Sequence, residues 1–530
     1  MIPAVRYACS RRIAAATLCL AITLPLAAET LADAVEAAYA RNPALVQQRY
    51  IQQGRDESYV QARAQYGPQL SVQVEGDQNY YKVGDTAGIS SRGGRAVATL
   101  SQPLYTSGRI RGQVAAARAN VRGGQEDVRQ VEQQTLQNVV TVYAAVLRDQ
   151  ARLEVGRENV DVLRGQLVQN RERQKRGDVT LTDVAQADAR LAAAEQQFAI
   201  LESDLAVSRG QYVQVVGHPA GALEPLPQLP TLPGSIDVAF DQAEASNPQL
   251  LGAQYTEAAS SANVAAARGA QGPTVSLNAQ GIYSKTLPYY ANSVDQKQVV
   301  AGLTLSQNIL AGGAIRSRVR QAQAQNNADQ AGIDLARRQV LQAVNTAWNQ
   351  LSASRTSLVA GERQVDSAQQ AFAGMSCEEL NGLRSTIDTL NAEQELQSAQ
   401  QNLLQNRYQV YISHAALLAA MGRLSADGIA ANIKRYDPDA NFQRVRYKGV
   451  TPLDYLAMGA DRILSASPRR KLSPTLTGKD IPRPERSRAL PAPPGPELPP
   501  APLVPITSSA LRLPDGSTAR CPLSVPARNR

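Results

Sequence analysis

Gly67-Pro68-Gln69-Leu70-Ser71-Val72-Gln73-Val74-Glu75 returns 205 residues later as Gly272-Pro273-Thr274-Val275-Ser276-Leu277-Asn278-Ala279-Gln280. In each copy the Gly-Pro pair closes a helical pattern. Beyond it apolar and polar residues alternate: Leu70, Val72 and Val74 in the first copy, Val275, Leu277 and Ala279 in the second. A period of two with one apolar face is the signature of a strand. A second alternating run follows, with Ala96, Ala98 and Leu100 matching Ala301, Leu303 and Leu305. The segments between runs, 77–94 and 282–297, are rich in Gly, Ser, Asp and Asn and are predicted to be loops. That leaves strands of roughly ten residues, the length that crosses an outer membrane when tilted.

Outward from these runs the same offset holds without insertion or deletion. Asn42-Pro43 falls on Asn247-Pro248, Leu100-Ser101-Gln102 on Leu305-Ser306-Gln307, Gly177 on Gly382, Asp183 on Asp388 and Gly217 on Gly422. The chain is two copies of one unit. Each copy opens with a helical stretch, about 30–65 and 236–269. The proline of its Asn-Pro pair suits either a helix start or a break between two helices.

After the second run of each copy proline vanishes, from 104 to 218 and from 289 to 437. Positions 139, 146, 153, 160 and 167 are Val, Val, Leu, Val and Leu, and their mates at 344, 351, 358, 365 and 372 are Val, Leu, Leu, Val and Phe. An apolar residue every seventh position signals coiled-coil packing. A helix over about 107–173 is on the order of 100 Å long, which no small globular domain uses. Gly177 and Gly382 then mark the turns, where glycine closes one helix and Thr180, Thr182 or Ser385 suits the cap of the next.

The domain reading is a signal peptide over 1–28, repeat 1 over 29–218, a Pro-rich linker over 219–233 and repeat 2 over 234–424. A mixed equatorial-type segment, 425–466, and a Pro-rich basic tail without fixed structure, 467–530, complete it. In the leader, Arg6, Arg11 and Arg12 precede an apolar run too short to span a bilayer. No small-residue lipobox precedes Cys19.

The formal charge is +9, but the leader carries +3, residues 424–460 carry +1 and residues 461–530 carry +7, which leaves −2 on the duplicated body. That body is not a nucleic-acid binder. Removal of the leader leaves Cys377 and Cys521, which make no disulfide framework. With two histidines in the chain, neither a metal cluster nor a His-based triad is visible. No cofactor is expected and the chain does not read as an enzyme.

Four strands cannot close a barrel around a lumen. Open edges in lipid leave backbone groups unsatisfied at several kcal/mol each. If the strands lie in lipid, several chains must share a barrel, and three give twelve strands, enough for a pore. Tyr80, Tyr81, Tyr283, Tyr289 and Tyr290 then sit where membrane-interface aromatics belong, although a soluble hairpin carries surface tyrosines as well.

Over about residues 29–424 the chain resembles the TolC-type outer-membrane efflux proteins. The resemblance rests on Glu29-Thr30-Leu31 with Ala34, on Asn42-Pro43, on the Gly-Pro strand starts, and on Leu305-Ser306-Gln307 with Gly312-Gly313. Most specific is Gly382-Leu383-Arg384-Ser385-Thr386-Ile387-Asp388-Thr389-Leu390-Asn391-Ala392-Glu393-Gln394-Glu395-Leu396, with a weaker copy over 177–187. The resemblance implies a membrane α+β fold. Long helices form a coiled-coil α-barrel in the periplasm, and four transmembrane strands per chain enter a twelve-stranded β-barrel of a homotrimer in outer-membrane lipid. It implies an exit duct for type I protein secretion or small-molecule efflux, docked through a periplasmic adaptor to an inner-membrane transporter of ABC or RND type. The missing lipobox fits the secretion-type branch. A soluble periplasmic coiled-coil adaptor or scaffold is the rival reading, and it leaves two lipid-length hairpins at equivalent places unexplained.

The same resemblance places the gate at the helix turns. Asp388 matches an acidic ring at the constriction, where three carboxylates around one axis favour cations and support block by polyvalent cations. Asn391 stands at the second ring position, so a double ring is not supported. Arg384 matches an arginine that ties helix pairs together, with Asp183 as its natural partner. Without the resemblance, Asp388 and Asp183 read as first-turn residues favoured by the helix dipole. Glu379 stands three residues before Gly382, where the family commonly has tyrosine, so part of the expected closed-state contact set is missing.

Overall fold

The computed structural model describes residues 28–464 apart from 83, 86–87, 289–293, 431–432 and 434. The leader, the tail from 465, Tyr289 and Tyr290 lie outside the described residues. Each repeat runs helix, helix, strand, strand, long helix, long helix. Repeat 1 holds α1 (Leu31–Arg41), α2 (Pro43–Ala64), β1 (Gln69–Tyr81), β2 (Ile89–Tyr105), α3 (Arg109–Arg176) and α4 (Leu181–Val216). Repeat 2 holds α5 (Ile236–Ser246), α6 (Pro248–Gly269), β3 (Thr274–Pro288), β4 (Val294–Ser306), α7 (Ala314–Leu380) and α8 (Thr386–Ala420). Three short helices follow, α9 (Ala426–Ile429), α10 (Pro438–Val445) and α11 (Pro452–Leu464). No described helix is long and apolar enough to cross a membrane.

The Asn-Pro pair is a break. Asn42 caps α2 by accepting from the Ala44 N–H at 3.0 Å, and its amide donates to the Val215 carbonyl at 3.0 Å. Asn247 repeats both contacts, with the Gln249 N–H at 2.9 Å and the Ala420 carbonyl at 2.8 Å. One asparagine in each copy thus satisfies a helix start and ties it to the far end of the second long helix.

The helix α3, with 68 residues, is about 100 Å long at 1.5 Å per residue. Its heptad positions Val139, Val146, Val160 and Leu167 are buried, as are Val344, Leu351 and Val365 on α7. Both long pairs, α3 with α4 and α7 with α8, zip along this seam. The largest core joins the two repeats at mid-height, where Val35, Tyr39, Val139, Tyr143, Phe240, Val344 and Leu418 meet. The segment 219–233 crosses this belt in extended form and is clamped there. The Glu29 N–H donates to the Ala222 carbonyl at 2.7 Å, and the Tyr143 hydroxyl lies 2.7 Å from the Glu224 carbonyl. A ring nitrogen of His414 lies 2.9 Å from the Pro230 carbonyl.

The strands form one antiparallel sheet in the order β1-β2-β3-β4. Register places Leu70 opposite Leu100 and Val72 opposite Ala98, then Leu100 opposite Ala279, then Ala279 opposite Ala301 and Leu277 opposite Leu303. Directly opposed residues share a face, so the alternating apolar positions of all four strands make one surface. Leu70, Val72, Val74, Val299, Leu303 and Leu305 stand exposed on it. The opposite face is mostly polar, with Val97, Ile282 and Val300 as apolar members. The Ser101 hydroxyl donates to Asn278 at 2.9 Å, and the Asn278 amide donates to the Thr304 hydroxyl at 2.9 Å, a ladder across three strands.

The predicted loops 77–94 and 282–297 are largely strand instead. The four strands are 13 to 17 residues long, well beyond the expected ten. Gly76, Asp77, Gln78 and Asn79 continue the ladder opposite Gly94, Gly93, Arg92 and Ser91. Hydrogen-bond pairing is a backbone property. Alternation reports only where one face leaves water, so it ends where both faces are wetted and the ladder does not. Lys285 and Asp295, opposed in this outer part, pair at 3.8 Å.

Candidate functional site

The site lies at the end of the long helices farthest from the sheet, where each repeat makes a hairpin turn. Both turns are built alike. Gly177 takes φ of 84° and Gly382 φ of 71°, a left-handed conformation open to glycine without steric cost. The Asp178 N–H reaches back to the Arg173 carbonyl at 3.0 Å, and the Leu383 N–H to the Glu378 carbonyl at 2.9 Å. These contacts satisfy carbonyls that the helix end leaves open. Thr180 and Ser385, not Thr182, cap the returning helices α4 and α8.

The two aspartates complete these caps. Asp183 accepts from the Thr180 hydroxyl at 2.8 Å and the Thr180 N–H at 2.9 Å. Asp388 accepts from the Ser385 hydroxyl at 2.7 Å and from its N–H at 3.4 Å. The Ser385 hydroxyl, then its N–H, holds the Asp388 carboxyl below the usual carboxylate range. Asp388 is therefore ionised and fixed at its own helix start.

The expected link from Arg384 to Asp183 is not made within the chain. The Arg384 Nε donates to Glu378 Oε2 at 2.8 Å, and both side chains are exposed or nearly so. The physical reason is local: Glu378 lies across the same tight turn, while Asp183 is spent on capping Thr180.

Other residues join the two hairpins. Arg173 near the end of α3 pairs with Glu379 Oε1 of α7 at 3.1 Å, and the Thr386 hydroxyl donates to the same oxygen at 3.0 Å. Glu379, the departure from the family's tip, thus supplies a hairpin-to-hairpin contact of its own. Arg190 of α4 donates to Asn391 Oδ1 at 2.7 Å and also to Gln394 of α8. Gln166 of α3 donates to Glu393 Oε2 at 2.8 Å. Under these bonds Val160, Leu163 and Ala194 pack on Leu390.

Glu393 is the unusual member. Its side chain is 7% exposed beside a cavity of about 360 Å³ lined also by Leu163, Arg190 and Leu390. Burial pushes its carboxyl up to about 7, opposed by the Gln166 hydrogen bond. The sequence holds a signal for it. Leu390, Glu393 and Gln397 share one helix face by spacing, and Leu390 is buried, so a carboxylate three residues on falls on the packed stripe.

Of the expected gate residues, the structure brings Asn391 into an inter-hairpin contact and leaves Asp388, Asp183 and Arg384 in their own turns. The contacts that cross run through Arg173 and Arg190, which no pattern in the sequence marks, through Glu393 on the packed stripe of α8, and through Glu379, which stands out in the sequence only as a departure from the family's tip. The arrangement offers no chemistry of bond making. It is a polar clasp over an apolar patch that holds two helical hairpins side by side.

The profile of a family described as "Outer membrane efflux protein" matches residues 34–218 and 239–423. The chain is 31% identical over 444 residues to the outer membrane efflux protein BepC of Brucella suis biovar 1, covering 83% of this chain and 96% of that protein. It is 28% identical over 328 residues to the alkaline protease secretion protein AprF of Pseudomonas aeruginosa, covering 60% and 67%. Among solved structures, the CmeC outer membrane channel of Campylobacter jejuni superposes with a TM-score of 0.67 at 14% identity, covering 79% of this chain and 89% of that one. At that identity the likeness is one of fold.

Proposed function

Given that this chain belongs to the outer membrane efflux protein family, we propose that its clasped hairpin tips are the gate of the outer-membrane channel that three copies build. The family and fold are those of channel proteins, located in the outer membrane with a helical tunnel in the periplasm. One observation carries the reading. A four-stranded sheet with one continuous apolar face and two unpaired edges sits on helices about 100 Å long. Alone, such a sheet leaves a row of backbone groups unsatisfied in lipid at several kcal/mol each. Three copies close a barrel of twelve strands with the Ser101–Asn278–Thr304 face toward water. A soluble adaptor would leave the apolar face bare, and this sets that alternative aside.

The gate reading assigns two jobs. The Arg173–Glu379, Arg190–Asn391 and Gln166–Glu393 contacts keep the second hairpin against the first. Asp388, ionised and repeated three times around the axis, makes the entrance favour cations. Arg384 and Asp183, each engaged in its own turn, are the side chains free to exchange partners with a neighbouring copy when the hairpins move. Cargo follows from relatives: AprF is named for protease secretion, and secretion of proteins delivered by an inner-membrane transporter and its adaptor is the proposed use, with small-molecule efflux as the second. The leader is proposed to be a cleaved secretory signal.

Single-channel recording in planar bilayers tests the gate. Asp388→Asn is expected to weaken block by a polyvalent cation at unchanged conductance. Arg173→Ala is expected to raise conductance. Equal block and equal conductance in the two variants and the wild type would remove the gate from this site.

A further inference from the structure

The duplication extends to the hydrogen-bond register. In the β1–β2 pair opposed residue numbers sum to 170, as in Leu70 with Leu100. In the β3–β4 pair they sum to 580, as in Val275 with Leu305, which is the same register moved by 205 in both strands. The β2–β3 pair sums to 379, as in Leu100 with Ala279, and shifts by one at a bulge where Tyr105 faces Val275. Its counterpart under the same operation pairs β4 with β1, two strands at opposite edges of the sheet.

A second observation concerns length. β2 runs 17 residues, Ile89–Tyr105, and the offset carries it onto 294–310. β4 stops at Ser306, four residues early. The missing four, Gln307–Leu310, correspond to Gln102–Tyr105, which are held by β3. Leu104 and Tyr105 are partly buried, whereas their mates Ile309 and Leu310 are each 93% exposed. β4 ends where its next strand would begin to hold it.

We propose that β4 pairs antiparallel with β1 of a second copy of this chain in the register that sums to 379, and that Gln307–Leu310 join β4 on that contact. Leu305 then opposes Val74, Leu303 opposes Gly76, Ser306 opposes Gln73, and beyond the bulge Leu310 opposes Leu70. The parity agrees independently. Odd positions of β4 and even positions of β1 carry the apolar face, and the sum joins odd to even, so that face passes unbroken from copy to copy. A slip of one residue would set Leu305 against Gln73 or Glu75 and turn one strand inside out. One contact does not transfer: Ser107 donates to the Pro273 carbonyl at 2.6 Å, and Gly312 in its place has no hydroxyl. The inference rests on the trimeric reading and adds its residue-level seam.

Cysteine pairs in the full-length channel test it. Gln73→Cys with Ser306→Cys lies in register on the polar face, within reach of an aqueous oxidant. Gln73→Cys with Thr304→Cys, and Glu75→Cys with Ser306→Cys, are slipped by two residues with parity kept. Directly opposed cysteines lie within disulfide reach and diagonal ones do not, so the first pair is expected to link chains at least about tenfold faster than the others. Leu70→Cys with Leu310→Cys is expected to link as well and reports the added strand segment. A slipped pair linking as fast as the first, or a sedimenting trimer in which the first pair never links, overturns the register. A protein that sediments as a monomer overturns the trimer itself.

Discussion

Glu393→Gln is the substitution whose effect follows most directly from the geometry. The Glu393 carboxyl is nearly buried between the hairpins, its one direct hydrogen bond among the described residues comes from Gln166, and burial raises it from 4.5 to about 7. A raised carboxyl stabilises the fold while it stays protonated. That contribution is fully present below 4.5 and is lost as pH rises through about 7. At 1.36 kcal/mol per unit the whole span is worth about 3 kcal/mol per copy. Glutamine keeps an oxygen for the Gln166 amide and carries no charge at any pH. Guanidinium unfolding of the detergent-solubilised protein, followed by far-UV circular dichroism, is to be run at pH 5 and pH 8 on both proteins. The wild type is expected to lose roughly 2–3 kcal/mol more than the variant between the two conditions. Glu126, Glu132 and Asp56 are also raised by burial, and they cancel in this double difference. A double difference of zero would refute the claim that an ionised Glu393 strains the hairpin contact.

Asp461 of α11 accepts from the Thr106 and Gly108 N–H groups at 3.1 and 3.0 Å and from the Tyr66 hydroxyl at 3.0 Å. Asp461→Ala is expected to cost roughly 2–4 kcal/mol in denaturant unfolding, because two backbone donors lose their acceptor. A Cβ on Gly112 would lie 2.5 Å from the Ala266 backbone nitrogen. Gly112→Ala must therefore push α3 from α6, and a loss of about 1–3 kcal/mol is expected by the same assay. Leu351→Ala removes a buried heptad side chain from the α7 seam and is expected to cost about 2–5 kcal/mol. Arg384→Ala breaks an exposed pair that solvent screens, while Arg173→Ala breaks one whose carboxylate is largely buried. Channel opening is expected to respond more to the second, as read by bilayer conductance.

The legible part of the site was its turns. Gly177, Gly382, Thr180 and Ser385 could be found because caps and left-handed glycines are local and leave a local mark. The crossing contacts were not legible. Arg173 reaches Glu379 and Arg190 reaches Asn391 over about two hundred residues of chain, and no pattern along one helix says which charges on another will face it. Within one chain Arg384 and Asp183 do not meet for the same reason, since a nearer carboxylate and a capping threonine engage the two side chains.

By itself the sequence determined the duplication, the order of elements within each copy, the heptad seam and the parity of the four strands. The duplication shows as one offset of 205 residues kept along the chain, and the seam and the parity are periods of seven and two, imposed by backbone geometry on residues a few positions apart. Only the tertiary structure decided where strands end, because a ladder stops when its neighbour does and not when alternation fades. It also decided that one carboxylate, Glu393, would be closed off from water while Asp388 stayed wet. Burial is a property of what packs from outside the helix, and the helix that carries both residues does not encode it.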